Sequence, residues 1–261
     1  MNARLFTLPR LSLRFVPVWR RNLLVWRKLA IPSLLGNLAD PMIFLFGLGY
    51  GLGAMMPPVQ GVPYIAFLAG GMVVSSTMYA ASFESMYSAF SRMHQQKTWE
   101  AILNAPLNLE DVLFGELAWA ATKATLSGVS ILVVVSFLGF AGWPLAAAVL
   151  PVIVLTGFAF AAIGLVMTAL SPSYDFFMYY FTLVMTPALL LSGVFFPVEQ
   201  LPAALQVAAA CLPLHHAVAL SRALLLGELP HDVLVHLAVP LGYAVVGFYI
   251  ALVLTRRRLL K

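Results

Sequence analysis

Four ionisable residues stand within long apolar stretches of the sequence: Asp40, Glu84, Glu116 and Lys123. Charge inside a bilayer is costly, so such residues normally face an oppositely charged partner or a water-filled cavity. Glu116 and Lys123 are seven residues apart and share one face of a helix. Glu84, about two turns from the end of the preceding apolar stretch, is within reach of Lys123. The pattern predicts a Glu84–Lys123 ion pair, which is either a link between helices or the polar lining of a substrate path.

Aromatic side chains run at helical spacing beside Glu84, at Tyr79, Phe83, Tyr87 and Phe90. Such a stripe is typical of packing between helices. In a conduit the same rings can stack against sugar rings or acyl chains. Tyr79, Phe83 and Tyr87, together with the four ionisable residues, are therefore candidates for the wall of a conduit.

Other reactive residue types form no recognisable catalytic or metal site. His215 and His216 are adjacent, so on a helix they diverge by about 100 degrees. Neither they nor His231 and His236 are accompanied by Cys, Asp or Glu at established ligand spacings. The glycine run at residues 47–53 resembles a phosphate loop, but it lies inside an apolar stretch with no strand before it, and close packing of helices is the better interpretation. We expect no catalytic residue, metal or cofactor in this chain.

Composition places the chain in a membrane. Hydrophobic residues make up 62% of the 261 residues, charged residues only 10%, and the mean hydropathy is +0.94. A helix needs about 20 mostly apolar residues to cross a bilayer. We predict an all-α integral membrane protein with six transmembrane helices, at roughly residues 35–56, 63–90, 112–140, 144–170, 176–196 and 236–255.

Basic residues predict the orientation of these helices. Of the 15 Lys and Arg residues, seven precede the first span, two (Arg92 and Lys97) lie between the second and third, and four close the chain. Positive residues concentrate on the cytoplasmic side of membrane proteins, so both termini are expected there. The net charge of +5 thus reflects topology and anionic lipid, and it gives no reason to expect nucleic acid as a partner.

An amphipathic helix is predicted before the first span. Within residues 18–30, Trp19, Leu23 and Trp26 fall on one face and the basic residues crowd the opposite arc. The alternative is an unstructured basic tail. We divide the chain into a cytoplasmic N-terminal segment (1–34), a six-helix membrane domain (35–255) and a cytoplasmic tail (256–261), all within one transmembrane domain.

A short cytoplasmic helix is predicted over residues 97–103, because Pro106 interrupts helical sequence and residues 109–111 resume it. Its apolar side chains have no obvious place to be buried among six membrane helices, so it is either a docking element for a soluble partner or an ordinary connector. The candidate contact residues are Lys97, Thr98, Trp99, Glu100, Ile102 and Leu103.

Prolines break the sequence between the fifth and sixth spans. Each removes a backbone donor and disfavours helical geometry in the residue before it. Residues 203–212 are apolar but too few to cross the bilayer, which predicts a re-entrant pair of short helices over residues 197–222. A helix lying flat on the surface is the alternative. The residues that define this hairpin are Gly193, Phe196, Pro197, Leu201, Pro202, Pro213 and Arg222.

Two segments bring a known family into view: KTWEAILNAPL at residues 97–107 and LSGVFFPVEQLPAAL at residues 191–205, followed by Pro213 and Arg222. They resemble the membrane subunit of ABC-2 type ATP-binding-cassette transporters. The resemblance extends over nearly the whole chain. More narrowly, the sequence resembles the NodJ-type permeases in three segments, at residues 19–53, 64–73 and 115–124.

The resemblance implies a homodimeric permease in the bacterial inner membrane. Two copies of a separate NodI-like ATPase would dock on the helix near residues 95–105 and would carry the ATP and Mg²⁺, since the sequence has no Walker A loop. NodJ-type permeases are associated with the export of lipo-chitin oligosaccharides, which implies an amphiphilic glycolipid or lipo-oligosaccharide as cargo.

Other functions stay open on the sequence alone. Within the same class they are export of O-antigen or capsular polysaccharide and efflux of drugs or lipids. Outside it they are an ATP-independent channel and a membrane enzyme acting on lipid-linked sugars. An enzyme of that kind is expected to carry clustered carboxylates or histidines on a large surface loop, and the loops here are short.

Overall fold

The computed structural model describes residues 6–10 and 12–259. The predicted all-α architecture is confirmed over this part of the chain. Two of the basic residues used to predict orientation, Arg4 and Lys261, lie outside the described residues, as do residues 1–5 and 260–261 of the proposed terminal segments. The helices are α1 (Phe15–Arg27), α2 (Ala30–Gly51), α3 (Tyr64–Gln95), α4 (Thr98–Leu103), α5 (Leu109–Phe137), α6 (Leu145–Leu170), α7 (Phe176–Leu191), α8 (Ala203–Ala210), α9 (Pro213–Leu225) and α10 (Val233–Leu259).

Five of these helices, α2, α3, α5, α6 and α10, are long and apolar enough to cross a membrane. The fifth predicted span is shorter than expected: α7 ends at Leu191, because Ser192 leaves helical geometry and Gly193 adopts a φ of +78°. Its 16 residues measure about 24 Å. The segment around α7 still runs the length of α3, since Tyr174 stacks on Tyr87 at one end and the Tyr64 hydroxyl donates to the Phe195 carbonyl at the other.

The bundle has two distinct ends. We call the charged end the one that holds α1, α4 and the last turn of α10. There Arg256 pairs with Glu110 and donates to the Thr7 carbonyl at 2.6 Å, while Arg258 donates to the Ser171 carbonyl at 2.7 Å. The opposite end, which we call the hairpin end, holds the α2–α3 and α5–α6 loops.

The predicted amphipathic helix is present as α1, and it packs along α5. Gly115 makes this close approach possible, because a Cβ there would stand 2.7 Å from the Cβ of Val18. The Trp19 indole donates to the Thr122 hydroxyl at 3.1 Å, and Trp26 packs edge-on against Trp119. The face predicted from the tryptophans therefore faces the bundle.

Helix α2 stands at the edge of the subunit. Only 6% of the apolar stretch of α2 is buried, against 94% for α3. The expectation that its glycine run packs closely against a neighbour is not met within this chain at Gly47 and Gly51, which have open space where a Cβ would be. It holds for Gly49, where a Cβ would lie 2.8 Å from Ile65.

Candidate functional site

An ion cluster lies between α3 and α5, near the charged end. Lys123 Nζ is 2.8 Å from Glu84 Oε2, which confirms the predicted pair. Arg92 joins the same carboxylate at 3.0 Å and binds Glu116 at 2.5 Å. The two carboxylates and two cations balance in charge. Both carboxylates are buried, so their ion pairs with Arg92 and Lys123 replace the hydration that these charges lose on burial.

Two tryptophans complete the hydrogen bonding of the ion cluster. Trp119 Nε1 donates to Glu84 Oε1 at 2.7 Å, and Trp99 Nε1 donates to Glu116 Oε1 at 3.1 Å. Arg92 was missing from the sequence-based set, because it was counted as a loop charge. On an ideal α-helix Arg92 would point about 80° away from Glu84, so their eight-residue spacing does not identify it, and the π turns of α3 bring the two side chains together.

Two π-helical turns in α3, Glu84–Ser88 and Ser91–Gln95, extend the helix beyond its predicted end and position the ion cluster. A π turn leaves a backbone carbonyl without its usual donor. Here the Thr168 hydroxyl of α6 donates to the Ser85 carbonyl at 2.7 Å, so the turn is stabilised by a neighbouring helix.

The orientation of helix α4 corrects one expectation. Trp99 was expected to face a soluble partner, but its side chain is fully buried, held by packing and by Glu116. Ile102 and Leu103 also pack against the core. The exposed residues of α4 and its two flanking positions are Lys97, Glu100, Ala101 and Asn104, and Thr98 is half-buried.

A groove of about 600 Å³ separates α2 from α3 and α5. We call it the lateral groove. Five of the seven predicted conduit residues line it: Asp40, Tyr79, Phe83, Tyr87 and Lys123. Its lining also includes four serines and Asn37, so polar groups and aromatic rings share the groove.

The remaining two conduit candidates lie elsewhere. Glu84 faces a second cavity of about 460 Å³ beneath α1, and Glu116 is enclosed between Arg92 and Trp99. Both belong to the ion cluster, and Glu116, seven residues before Lys123 along α5, lies level with Arg92 and Trp99.

The aromatic row also packs against α7. Phe83 lies 4.6 Å from Phe181 between ring centroids, and Tyr87 stacks on Tyr174 at 5.9 Å. Phe83 keeps almost half of its surface exposed (48%), so it can contact a ligand while it packs. The two interpretations of this row are therefore compatible.

One guanidinium at this site lies outside the membrane-spanning helices. Arg21, on α1, borders the cavity beneath that helix together with Arg92. Burial lowers the pKa of Arg21, and the positive charge of Arg92 lowers it further, while Glu116 opposes both effects. The positive charge is thus dense where α1 meets the ion cluster.

The predicted broken segment consists of α8 and α9, which meet at 87°. Both of its ends lie at the hairpin end. Pro197 borders a cavity with the α2–α3 loop residue Gln60, and Gly142 of the α5–α6 loop donates to the Leu225 carbonyl at 2.6 Å. The turn at Cys211 lies deeper, since its carbonyl accepts from Tyr243, about 15 Å along α10 from Val233. Both ends of the segment therefore lie at one end of the bundle, which is the arrangement that a re-entrant hairpin requires.

Arg222 fastens this hairpin to α3. Its guanidinium donates to the Gly193 carbonyl at 2.6 Å and to the Phe67 carbonyl at 3.1 Å, and it lies 3.6 Å from the centre of the Phe67 ring. Gly70 permits the contact, because a Cβ there would meet the Arg222 backbone at 2.6 Å. Of the other hairpin residues, Pro197 and Pro213 are buried, Phe196 and Leu201 are half-buried, and Pro202 is exposed.

Comparison with known proteins decides the family. The family model described as ABC-2 type transporter matches residues 15–226. The chain belongs to this family. It is 53% identical to Nodulation protein J of Rhizobium leguminosarum bv. viciae over 255 residues, which cover 98% of each chain. It is 51% identical to Nodulation protein J of Rhizobium meliloti (strain 1021), with 97% of each chain covered.

A more distant relative is the inner membrane transport permease YadH of Escherichia coli (strain K12), 22% identical over 188 residues, or 71% of this chain and 72% of that one. These comparisons confirm the resemblance read from the sequence motifs. The chain is a permease subunit of the ABC-2 type, and the lateral groove, the ion cluster and the hairpin are features of such a permease.

Proposed function

We propose that this permease exports an amphiphilic lipo-oligosaccharide or glycolipid across the bacterial inner membrane, driven by a separate NodI-like ATPase. The observation that carries the proposal is the lateral groove. Lys123, Asp40 and serine hydroxyls offer polar contacts, while Phe83 and Tyr79 offer aromatic faces. Aromatic faces and convergent polar groups in one cleft suit a ligand that has both a sugar part and an acyl part.

The orientation follows from the basic residues. The charged end carries α1, Arg92, Lys97 and the Arg256–Arg258 run, so we place it in the cytoplasm together with both termini. The hairpin end then lies on the outer side. An exporter in this orientation receives cargo near the ion cluster and releases it near the hairpin.

Helix α4 is the proposed contact for the ATPase. Its exposed edge, with Lys97 and Glu100, is the part that a soluble partner can reach from the charged end. Trp99 links that edge to Glu116, and the ion cluster continues through Arg92 and Glu84 to Lys123 in the lateral groove. Displacement of α4 is thereby transmitted to the groove.

A second copy of this chain completes the proposed assembly. The lateral groove is open on the side of α2, whose apolar outer face is almost entirely uncovered. We propose a homodimer that encloses two such grooves, with two ATPase subunits that carry ATP and Mg²⁺. Anionic lipid surrounds the basic charged end.

The test is ATP-dependent uptake into inverted membrane vesicles that hold the permease and its ATPase. A radiolabelled lipo-oligosaccharide is the first cargo, and a lipid-free oligosaccharide and a plain phospholipid are the comparisons. We expect uptake of the first that needs ATP and that falls about five- to tenfold in Tyr79→Ala, since stacking on an aromatic face contributes about 1–1.5 kcal/mol. Preference for either comparison would replace the proposed cargo.

A matched control separates groove chemistry from general damage. Phe137, at the end of α5, is an aromatic residue that is 88% exposed and does not line the lateral groove. Phe137→Ala should leave uptake unchanged. Uptake without ATP would show a channel, and release of a chemically altered cargo would show an enzyme; either outcome would overturn the proposal.

A further inference from the structure

A pair of histidines joins the hairpin to the last helix. His216 of α9 and His236 of α10 lie with their Nδ1 atoms 2.9 Å apart. The other ring nitrogen of His216, Nε2, is 2.9 Å from the Ala210 carbonyl oxygen, at the end of α8. One imidazole therefore holds α8, α9 and α10 together at the hairpin end.

The carbonyl fixes which nitrogens carry hydrogen. A carbonyl oxygen only accepts, so His216 Nε2 must donate to Ala210. When His216 is neutral its Nδ1 is then a bare acceptor, and His236 must donate from its own Nδ1. His236 Nε2 is left without hydrogen, and among the described residues it has no protein partner. His236 lines a polar cavity of about 360 Å³.

This arrangement tolerates one proton and not two. A first proton can enter from the cavity at His236 Nε2, or be shared between the facing Nδ1 atoms, and in both cases the hydrogen bond persists with added charge. A second proton places N–H groups on both Nδ1 atoms, so two donors and two positive charges face each other and the bond is lost. Titration of such a pair is a property of both rings together.

We propose that the His216–His236 pair is a proton-binding site that fastens the hairpin to α10 and releases it in acid. The surrounding charges set how readily the second proton enters. His215 of α9 adds positive charge when protonated, while carboxylates on the neighbouring segments oppose it. The groups that face the pair or share its cavity are His215, Arg222, Glu199, Glu228, His231 and Asp232.

The natural cysteine offers a direct probe. Cys211 is exposed and directly follows Ala210, whose carbonyl the pair holds. We would attach a nitroxide to Cys211 of the full chain in lipid nanodiscs and record its mobility from pH 8 to pH 4.5. The expected result is an immobilised spectrum at neutral pH and a shift to a mobile one toward the acid end of this range, because the second protonation must overcome the first charge.

Three variants make the test specific. In His236→Asn the amide can present either its N–H or its oxygen to His216 Nδ1, so the label should stay immobilised at every pH. In His236→Leu the bond is absent, and the label should be mobile throughout. His231→Asn removes a histidine of the same cavity that is outside the pair, and it should behave as wild type.

Three outcomes would overturn the proposal: no mobility change in the wild-type chain, the same change in His236→Asn, or loss of the change in His231→Asn. This readout needs no cargo and no ATPase, so its failure is distinct from failure of the proposed function. Only the consequence for transport, a hairpin that becomes more mobile in acid at the outer side of the permease, rests on that function.

Discussion

Trp99 and Glu116 are joined by a hydrogen bond of 3.1 Å from the indole Nε1 to the carboxylate Oε1. This bond connects the shortest helix at the charged end, α4, to the buried ion cluster. A tryptophan that is buried and also donates to a charged acceptor fixes both the position and the rotation of a six-residue helix, which has little stability of its own.

The first prediction is that Trp99→Phe uncouples α4 from the ion cluster. Phenylalanine retains most of the packing but cannot donate to Glu116, so the free energy of unfolding should fall by about 2 kcal/mol. Thermal unfolding in one detergent measures this, and ATP-dependent uptake should fall with it. Trp143→Phe is the control, because Trp143 is 58% exposed. Equal effects of the two changes would contradict the prediction.

A second prediction concerns the exposed edge of α4. Lys97→Ala with Glu100→Ala should weaken co-purification of the ATPase while thermal unfolding stays as in wild type, because both side chains are exposed. Glu228→Ala, an exposed carboxylate at the hairpin end, is the matched control. If the double variant retains the ATPase as well as the control does, α4 is not the docking element.

The third prediction is a double-mutant cycle on Glu84 and Lys123. Glu84 also binds Arg92 and Trp119, so Lys123→Met leaves it two partners, whereas Glu84→Gln leaves two cations with less negative charge. Glu84→Gln should therefore be the costlier change, on the order of 3 kcal/mol. The double variant should recover about 1–2 kcal/mol of the summed losses. Denaturant unfolding measures all four free energies, and strictly additive losses would mean that the pair contributes nothing.

Local signals in the sequence predicted much of the fold. The apolar runs identified the long helices, and tryptophan spacing identified the inward face of α1. Pro106 and the return of helical sequence at residues 109–111 predicted the start of α5, where the structure shows a capping box between Asn108 and Asp111. The prolines after Gly193 fixed the break before α8. Each of these features depends on a few neighbouring residues, which is why sequence alone sufficed.

The ion cluster could be predicted only in part. Glu84 and Lys123 stood out because charge is rare in apolar sequence, but Arg92 follows the predicted end of its span and was counted with the loop. It belongs to the cluster because the π turns carry α3 further and rotate its last residues. The burial of Trp99 was likewise not predicted. A helix of six residues is too short for a hydrophobic periodicity that would show which face is buried.

The final prediction tests the hairpin and the orientation together. In a Cys211→Ser background, single cysteines at Glu199 and Glu228 should both react with a membrane-impermeant reagent added from outside, because both exposed residues border the same polar cavity at the hairpin end. A cysteine at Ala209, which is fully buried, should stay unlabelled. A cysteine at Glu100 should react only in inverted vesicles, because α4 lies at the charged end. Labelling of Glu199 and Glu228 from opposite sides would make α8 and α9 a true crossing. That crossing would move the Arg256–Arg258 run to the outside, against the charge rule.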